Sequence, residues 1–233
     1  MFRISAAVVL VSILGSTTRL PLGIGPAPER IVIDPDSARF SKVLNGTVEV
    51  VSHRGRRAVK LVRSPGMAKT DGSMLAILAD RHFKDGTIEV SVAGAPRPDA
   101  PADSRGFIGL SFRTGDAGEW SEIFYLRPTN GRADDQLRRN HAVQYVSHPA
   151  FTWERLRQEA PGVYESYADM EPAVWTTMKI VVSGSKARLY VNGAQQPCLI
   201  VNDLKRGDGA GRIALWAHVE TDAYFGAVTI ATP

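Results

Sequence analysis

SRGFIGLSFRTGDAGEWSEIFYLRP, residues 104–128, decides the fold. In its first half, Ile108, Leu110 and Phe112 alternate with Phe107, Gly109, Ser111 and Arg113. A period of two places the first set on one face of a strand and the second set on the other. Thr114, Gly115, Asp116, Ala117 and Gly118 supply the chemistry of a turn. Residues 121–127 then return as a second strand. On it Tyr125 and Arg127 share one face, while Glu122 shares the other with Phe124 and Leu126. Both sets reach a common groove only if a bulge intervenes, and the sequence leaves open which set does. A hairpin with one oily face and one polar face belongs to an antiparallel sheet buried on one side. The polar side is where function is expected.

Outward from this hairpin the chain repeats the same grammar. Short apolar, β-branched runs occupy residues 30–34, 47–52, 58–63, 74–79 and 86–93, and again 142–147, 174–183, 187–191, 199–201, 211–217 and 224–230. Turn residues separate them, including Asn45-Gly46, Gly184-Ser185 and Asn192-Gly193. The clearest alternation sets Thr176, Met178, Ile180 and Val182 against Trp175, Thr177, Lys179 and Val181. Residues 95–103 are too rich in Pro for a central strand. Residues 129–140 read as a long polar loop, and residues 153–160 as a short helix ended by Pro161-Gly162. About twelve to fourteen strands with turn signals every eight to twelve residues predict an all-β protein, an antiparallel β-sandwich with few short helices. No fixed-period repeat marks a propeller or solenoid.

The totals narrow the function. With 28 Lys and Arg against 24 Asp and Glu, the formal charge is +4, and the basic residues are scattered. A nucleic-acid binder more often shows a dense basic stripe, so no nucleic-acid partner is expected. The one cysteine, Cys198, has no partner for a disulfide or a Cys-based zinc site and reads as a small buried hydrophobe. Arg3 followed by the apolar residues 4–14 reads as a signal peptide over residues 1–18, too short for an ordinary membrane span. Residues 19–29 then form a Pro/Gly-rich linker, and residues 30–233 the sandwich domain. The expected location is secreted or periplasmic, with no membrane span once the signal is removed.

Three segments resemble the concanavalin A-like lectin/glucanase superfamily. They are FKDGTIEVSV at residues 83–92, WTTMKIVVSGSKARLYVNG at residues 175–193, and GRIALWAHVETDAYFGAVTI at residues 211–230. Within that superfamily the chain looks most like laminin-G-like bacterial domains and the exported domains called 3-keto-disaccharide hydrolases. The resemblance implies a jelly roll whose concave sheet binds sugar. One departure is instructive. Laminarinase-type members carry E-x-D-x-x-E on one strand, whereas here Glu119 and Glu122 lack the middle Asp. That argues against a retaining glycosidase of that type.

Sugars are held by aromatic faces and by planar hydrogen-bonding groups. The residues expected to supply these are Arg105, Arg113, Tyr125, Arg127, Gln144, His148, Trp153, Trp216 and His218. Gly109 either leaves room above the sheet for a ligand or marks a bulge or packing gap. His148, His218 and Glu122 are the candidates for proton transfer. No H-x-H or H-E-x-x-H spacing is present, so no metal site is expected, and no cofactor beyond a Ca²⁺ role for Asp134 and Asp135. The expected function is an exported carbohydrate-binding domain with carbohydrate or another small polar ligand as partner. The alternatives are a hydrolase or lyase acting on glycosides or keto-sugars with a His base, and a non-catalytic interaction module of the cell envelope.

Overall fold

Period-two segments become strands as expected, and they pair into two sheets. The structure, a computed structural model, describes residues 29–67 and 72–233. The signal peptide expected at residues 1–18 and nearly all of the linker at 19–29 lie outside the described residues. Fifteen strands form among those described. The first sheet contains β1 (Glu29–Ile33), β3 (Gly46–His53), β4 (Arg56–Arg63), β6 (Gly86–Pro96), β11 (Thr176–Ser183), β12 (Lys186–Val191), β13 (Leu199–Val201) and β15 (Thr221–Thr232). Its order is β13-β12-β11-β6-β15-β4-β3, with β1 also on β15. The second contains β2 (Phe40–Leu44), β5 (Ser73–Phe83), β7 (Ile108–Thr114), β8 (Ser121–Leu126), β9 (Val143–His148), β10 (Glu165–Ser166) and β14 (Gly211–His218). Its order is β10-β9-β8-β7-β14-β5-β2. Neighbouring strands pair antiparallel throughout.

The core lies between the sheets. Ile88, Val90 and Val92 on β6 and Met178, Ile180 and Val182 on β11 meet Ile108, Leu110 and Phe112 on β7, with Phe124, Tyr145 and Leu215 beside them. Burying each such side chain contributes roughly 1.5–3 kcal/mol relative to leaving it in water. β11 and β12 keep the expected alternation. The centre of the second sheet does not. Every residue of β7 and β8 is buried. The second face of this hairpin is therefore not an open polar surface, because aromatic rings close over it.

Two candidate site residues are displaced from that face. Arg212 pairs with Thr114 and Ala214 with Ser111, so Phe112 and Arg113 together oppose Ile213. Such a bulge breaks the parity of the strand, and Arg113 adopts φ 47°. Its guanidinium, 1% exposed, donates to the carbonyls of Lys84, Gly184 and Gly207 and pairs with Asp85 at 3.2 Å. Arg113 thus ties three turns together at one end of the sandwich instead of facing a ligand. Glu122 points into the core side of β8, as its register with Phe124 and Leu126 requires. It accepts from the Tyr145 hydroxyl at 2.6 Å and the Arg206 amide at 2.7 Å, anchoring residues 204–206. With both oxygens occupied and the residue fully buried, it is not placed for proton transfer to a ligand.

The polar loop at residues 129–140 holds more structure than its composition suggested. A 3-10 turn spans Pro128–Asn130, and α1 spans Gln136–Asn140 with Asp135 as its N-cap, accepting from the Arg138 amide at 3.0 Å. α2 covers Trp153–Glu159. Among the described residues no group of three or more His, Cys, Asp or Glu is placed to hold a metal ion.

Candidate functional site

The site is built around Gly109. This residue lies opposite Tyr125 on β8 and opposite Trp216 on β14. The two rings stack across it, centroids 4.9 Å apart and planes 30° apart. A Cβ on Gly109 would lie 2.1 Å from the Phe124 carbonyl oxygen and 2.9 Å from the Tyr125 Cβ. The glycine therefore permits close packing under the rings; it does not leave space for a ligand. Phe107 meets Tyr125 and His218 edge-on, at 5.7 and 5.6 Å. Leu75, Ile123 and Val146 extend the same surface, so the floor is largely apolar.

Over this floor run three cavities of about 320, 270 and 290 Å³ that share lining residues. Phe107, Tyr125 and Trp153 border the first two, and Trp216 and His148 border the second and third. Together they form one groove across β5, β14, β7, β8 and β9, with the start of α2 as its outer wall. Trp153, 40% exposed, stands on that wall with the Arg157 guanidinium 4.7 Å over its ring. Trp216 is only 4% exposed, so it is a floor residue and not the open platform that parity suggested.

One end of the groove is cationic. Arg105, Arg127, Arg138, Arg157 and His141 line the first cavity together with Asp103. Arg127 is held rigidly, donating to the Tyr125 hydroxyl, to Gln144 Oε1 and to the His141 carbonyl, each at 3.0 Å. Gln144 spends its amide on the carbonyls of Tyr145 and Tyr164. Buried and fully occupied, it positions Arg127 and has no polar atom left for a ligand. Burial raises the Tyr125 phenol above its ordinary value against the opposing pull of Arg127, so it stays protonated at neutral pH.

The histidines are placed differently. His148 and His218 line the second cavity. Burial holds His148 below the ordinary imidazole value despite the opposing charge of Glu154. Its ring makes no hydrogen bond to the described residues, so an unprotonated ring nitrogen is on offer at neutral pH. His141 at the cationic end is likewise lowered by burial, against the pull of Glu165.

Of the residues anticipated from sequence, Arg105, Tyr125, Arg127, His148, Trp153, Trp216 and His218 converge on the groove, Gln144 lies beneath it, and Arg113 and Glu122 lie elsewhere. Arg138 and Arg157 were not anticipated. Nothing local marks them, because each reaches the cavity from a short helix whose docking the sequence does not specify.

With the geometry established, known structures supply a comparison. A carbohydrate-binding module, CBM66, from Bacillus subtilis matches with TM-score 0.53 at 14% identity, covering 79% of this chain and 91% of that one. The fold is a jelly-roll β-sandwich. A Bacillus subtilis protein of unknown function with a galectin-like fold gives TM-score 0.51 at 14% identity, over 82% and 89% of the two chains. The metal-free exoplasmic/lumenal domain of VIP36 gives 0.53 at 10% identity, over 89% and 94%. These likenesses agree with the concanavalin A-like architecture at the level of the fold. No protein-family model matches the sequence, and no curated protein sequence matches it.

Proposed function

We propose that this protein binds carbohydrate in the groove over its second sheet, and that residues 1–18 direct it out of the cytoplasm. The observation that carries the reading is the pairing of an apolar, ring-lined floor with an exposed Trp on the opposite wall and a few fixed polar groups between them. Pyranose rings present apolar faces and equatorial hydroxyls, which such a groove suits. The likeness to a carbohydrate-binding module supports the choice of ligand class.

Titration with a panel of neutral and acidic oligosaccharides, read by tryptophan fluorescence and calorimetry, tests it. Saturable binding that weakens about tenfold in Trp153→Ala is expected, since one ring stacking contact is worth about 1–1.5 kcal/mol. Absence of binding across the panel overturns the reading. Export is tested separately by the N-terminus of the native protein: loss of residues up to about Thr18 supports it, and an intact Met1 in the cytosol refutes it.

A second reading, hydrolysis or elimination with His148 as base, is favoured by its neutral ring in the same cavity as His218. His148→Ala would then abolish turnover and leave binding in place, whereas equal turnover rejects that role.

A further inference from the structure

The hydrogen-bond donors at the cationic end exceed the protein's own acceptors. Four guanidiniums face two carboxylates there, those of Asp103 and Glu165. Glu165 takes Arg157 bidentately at 2.9 and 2.7 Å, His141 Nε2 at 3.1 Å and Arg127 at 3.6 Å. Its charge is committed to one side of the cavity. On the other side, Arg105 donates to the backbone carbonyl of Asp103, and Arg138 reaches only the Asn130 Oδ1 at 3.5 Å. Neither forms an ion pair with a carboxylate among the described residues. Arg138 Nε is buried with no acceptor, as are the hydroxyls of Ser104 and Thr129 from the two segments that flank the cavity. Guanidiniums held together in a half-enclosed space repel one another, and burial together with Arg138 and Arg127 pushes the Arg105 pKa down. A fold that keeps four guanidiniums against two carboxylates, with Asp103 only partly offsetting the charge on Arg105, is matched to an external anion.

We propose that this end of the groove holds the oxyanion of an acidic sugar, so that the ligand is an acidic oligosaccharide and not a neutral one. The inference rests on the carbohydrate reading above. The oxyanion is the carboxylate of a uronic acid or a sulfate ester, both of which accept paired N–H donors from guanidinium. The sugar bearing it sits against Phe107 and Tyr125, which border the first and second cavities, and the chain continues over Trp216 toward His148.

The test compares oligogalacturonate, its methyl ester and a sulfated galacto-oligosaccharide by calorimetry, at low and at high salt. The ester keeps the sugar rings and removes the charge. We expect the acid or the sulfated sugar to bind at least about tenfold tighter than the ester, with the advantage shrinking at high salt. The tighter of the two identifies carboxylate or sulfate as the recognised group. Arg105→Gln and Arg138→Gln should each cost about tenfold for that ligand and narrow its advantage over the ester. Two variants are used because Arg138 contributes to the packing of α1, whereas Arg105 lies on the rim; thermal melts check that both fold. Equal affinity for ester, acid and sulfated sugar, with both variants silent, overturns the anion assignment and leaves carbohydrate binding standing. Binding of none of the three, or of any other oligosaccharide, overturns the function and this inference together.

Discussion

At the scale of single residues, Gly109 and the buried polar groups hold the second sheet and its groove in shape. Alanine at Gly109 forces its Cβ into the Phe124 carbonyl, and since that obstacle is backbone, the strands must part. Gly109→Ala is expected to cost about 1–3 kcal/mol, a fall in melting temperature of about 2–10 °C, and to disturb the Tyr125–Trp216 stack seen in near-UV circular dichroism. Glu122 has two donors aimed at it. Glu122→Gln turns an amide N–H₂ toward one of them and should cost about 1–3 kcal/mol in urea unfolding, with ligand affinity unchanged. His148 and His141 set a pH dependence. Both are held below the ordinary imidazole value in the fold, so near pH 6.5 the unfolded chain takes up protons that the folded chain refuses. Stability should therefore be full above about pH 6.5 and decline as pH falls below it. Melting at pH 7.5 and 5.5 measures the decline, and His148→Asn should make it shallower.

At the scale of elements, the bulge on β7 is the decisive feature. Alternation from Ile108 to Phe112 is legible in sequence because each strand's own sterics enforce it. The bulge is not, because it exists only relative to Ile213 on the partner strand. Its consequence is the clamp made by Arg113, which joins the turn before β6, the turn between β11 and β12, and the loop before β14. Arg113→Met leaves those carbonyls without their donor, removes one of the two donors to Asp85 and should cost about 3–5 kcal/mol. Hydrogen exchange offers a local check: the Gly184 amide, which donates to Asp85 at 2.8 Å, should exchange faster in the variant while the centre of β11 stays protected. Likewise β10, only two residues long, had no sequence signal, since its pairing with β9 follows from where α2 ends.

At the scale of the whole molecule, the last strand is the structural centre of the first sheet. β15 pairs with β6 on one side and with β4 and β1 on the other. Contacts so distant in sequence form only after nearly the whole chain is present. A chain ending at Glu220 should therefore fail to fold, showing no cooperative melt, whereas a chain starting at Glu29 should melt cooperatively. The groove is a property at this same scale. Arg105 arrives from a loop, Arg127 from the end of β8, Arg138 from α1 and Arg157 from α2, and only their convergence makes one end cationic. Sequence by itself determined most of the strands and turns and which side chains of β8, β9 and β14 share a face, because backbone geometry alone imposes period two. Tertiary structure alone decided which of those faces is covered, that Trp216 lies on the floor while Trp153 stands on the rim, and that Arg113 leaves the groove. Coverage and convergence depend on how separate segments pack, and no residue carries that information in its neighbours along the chain.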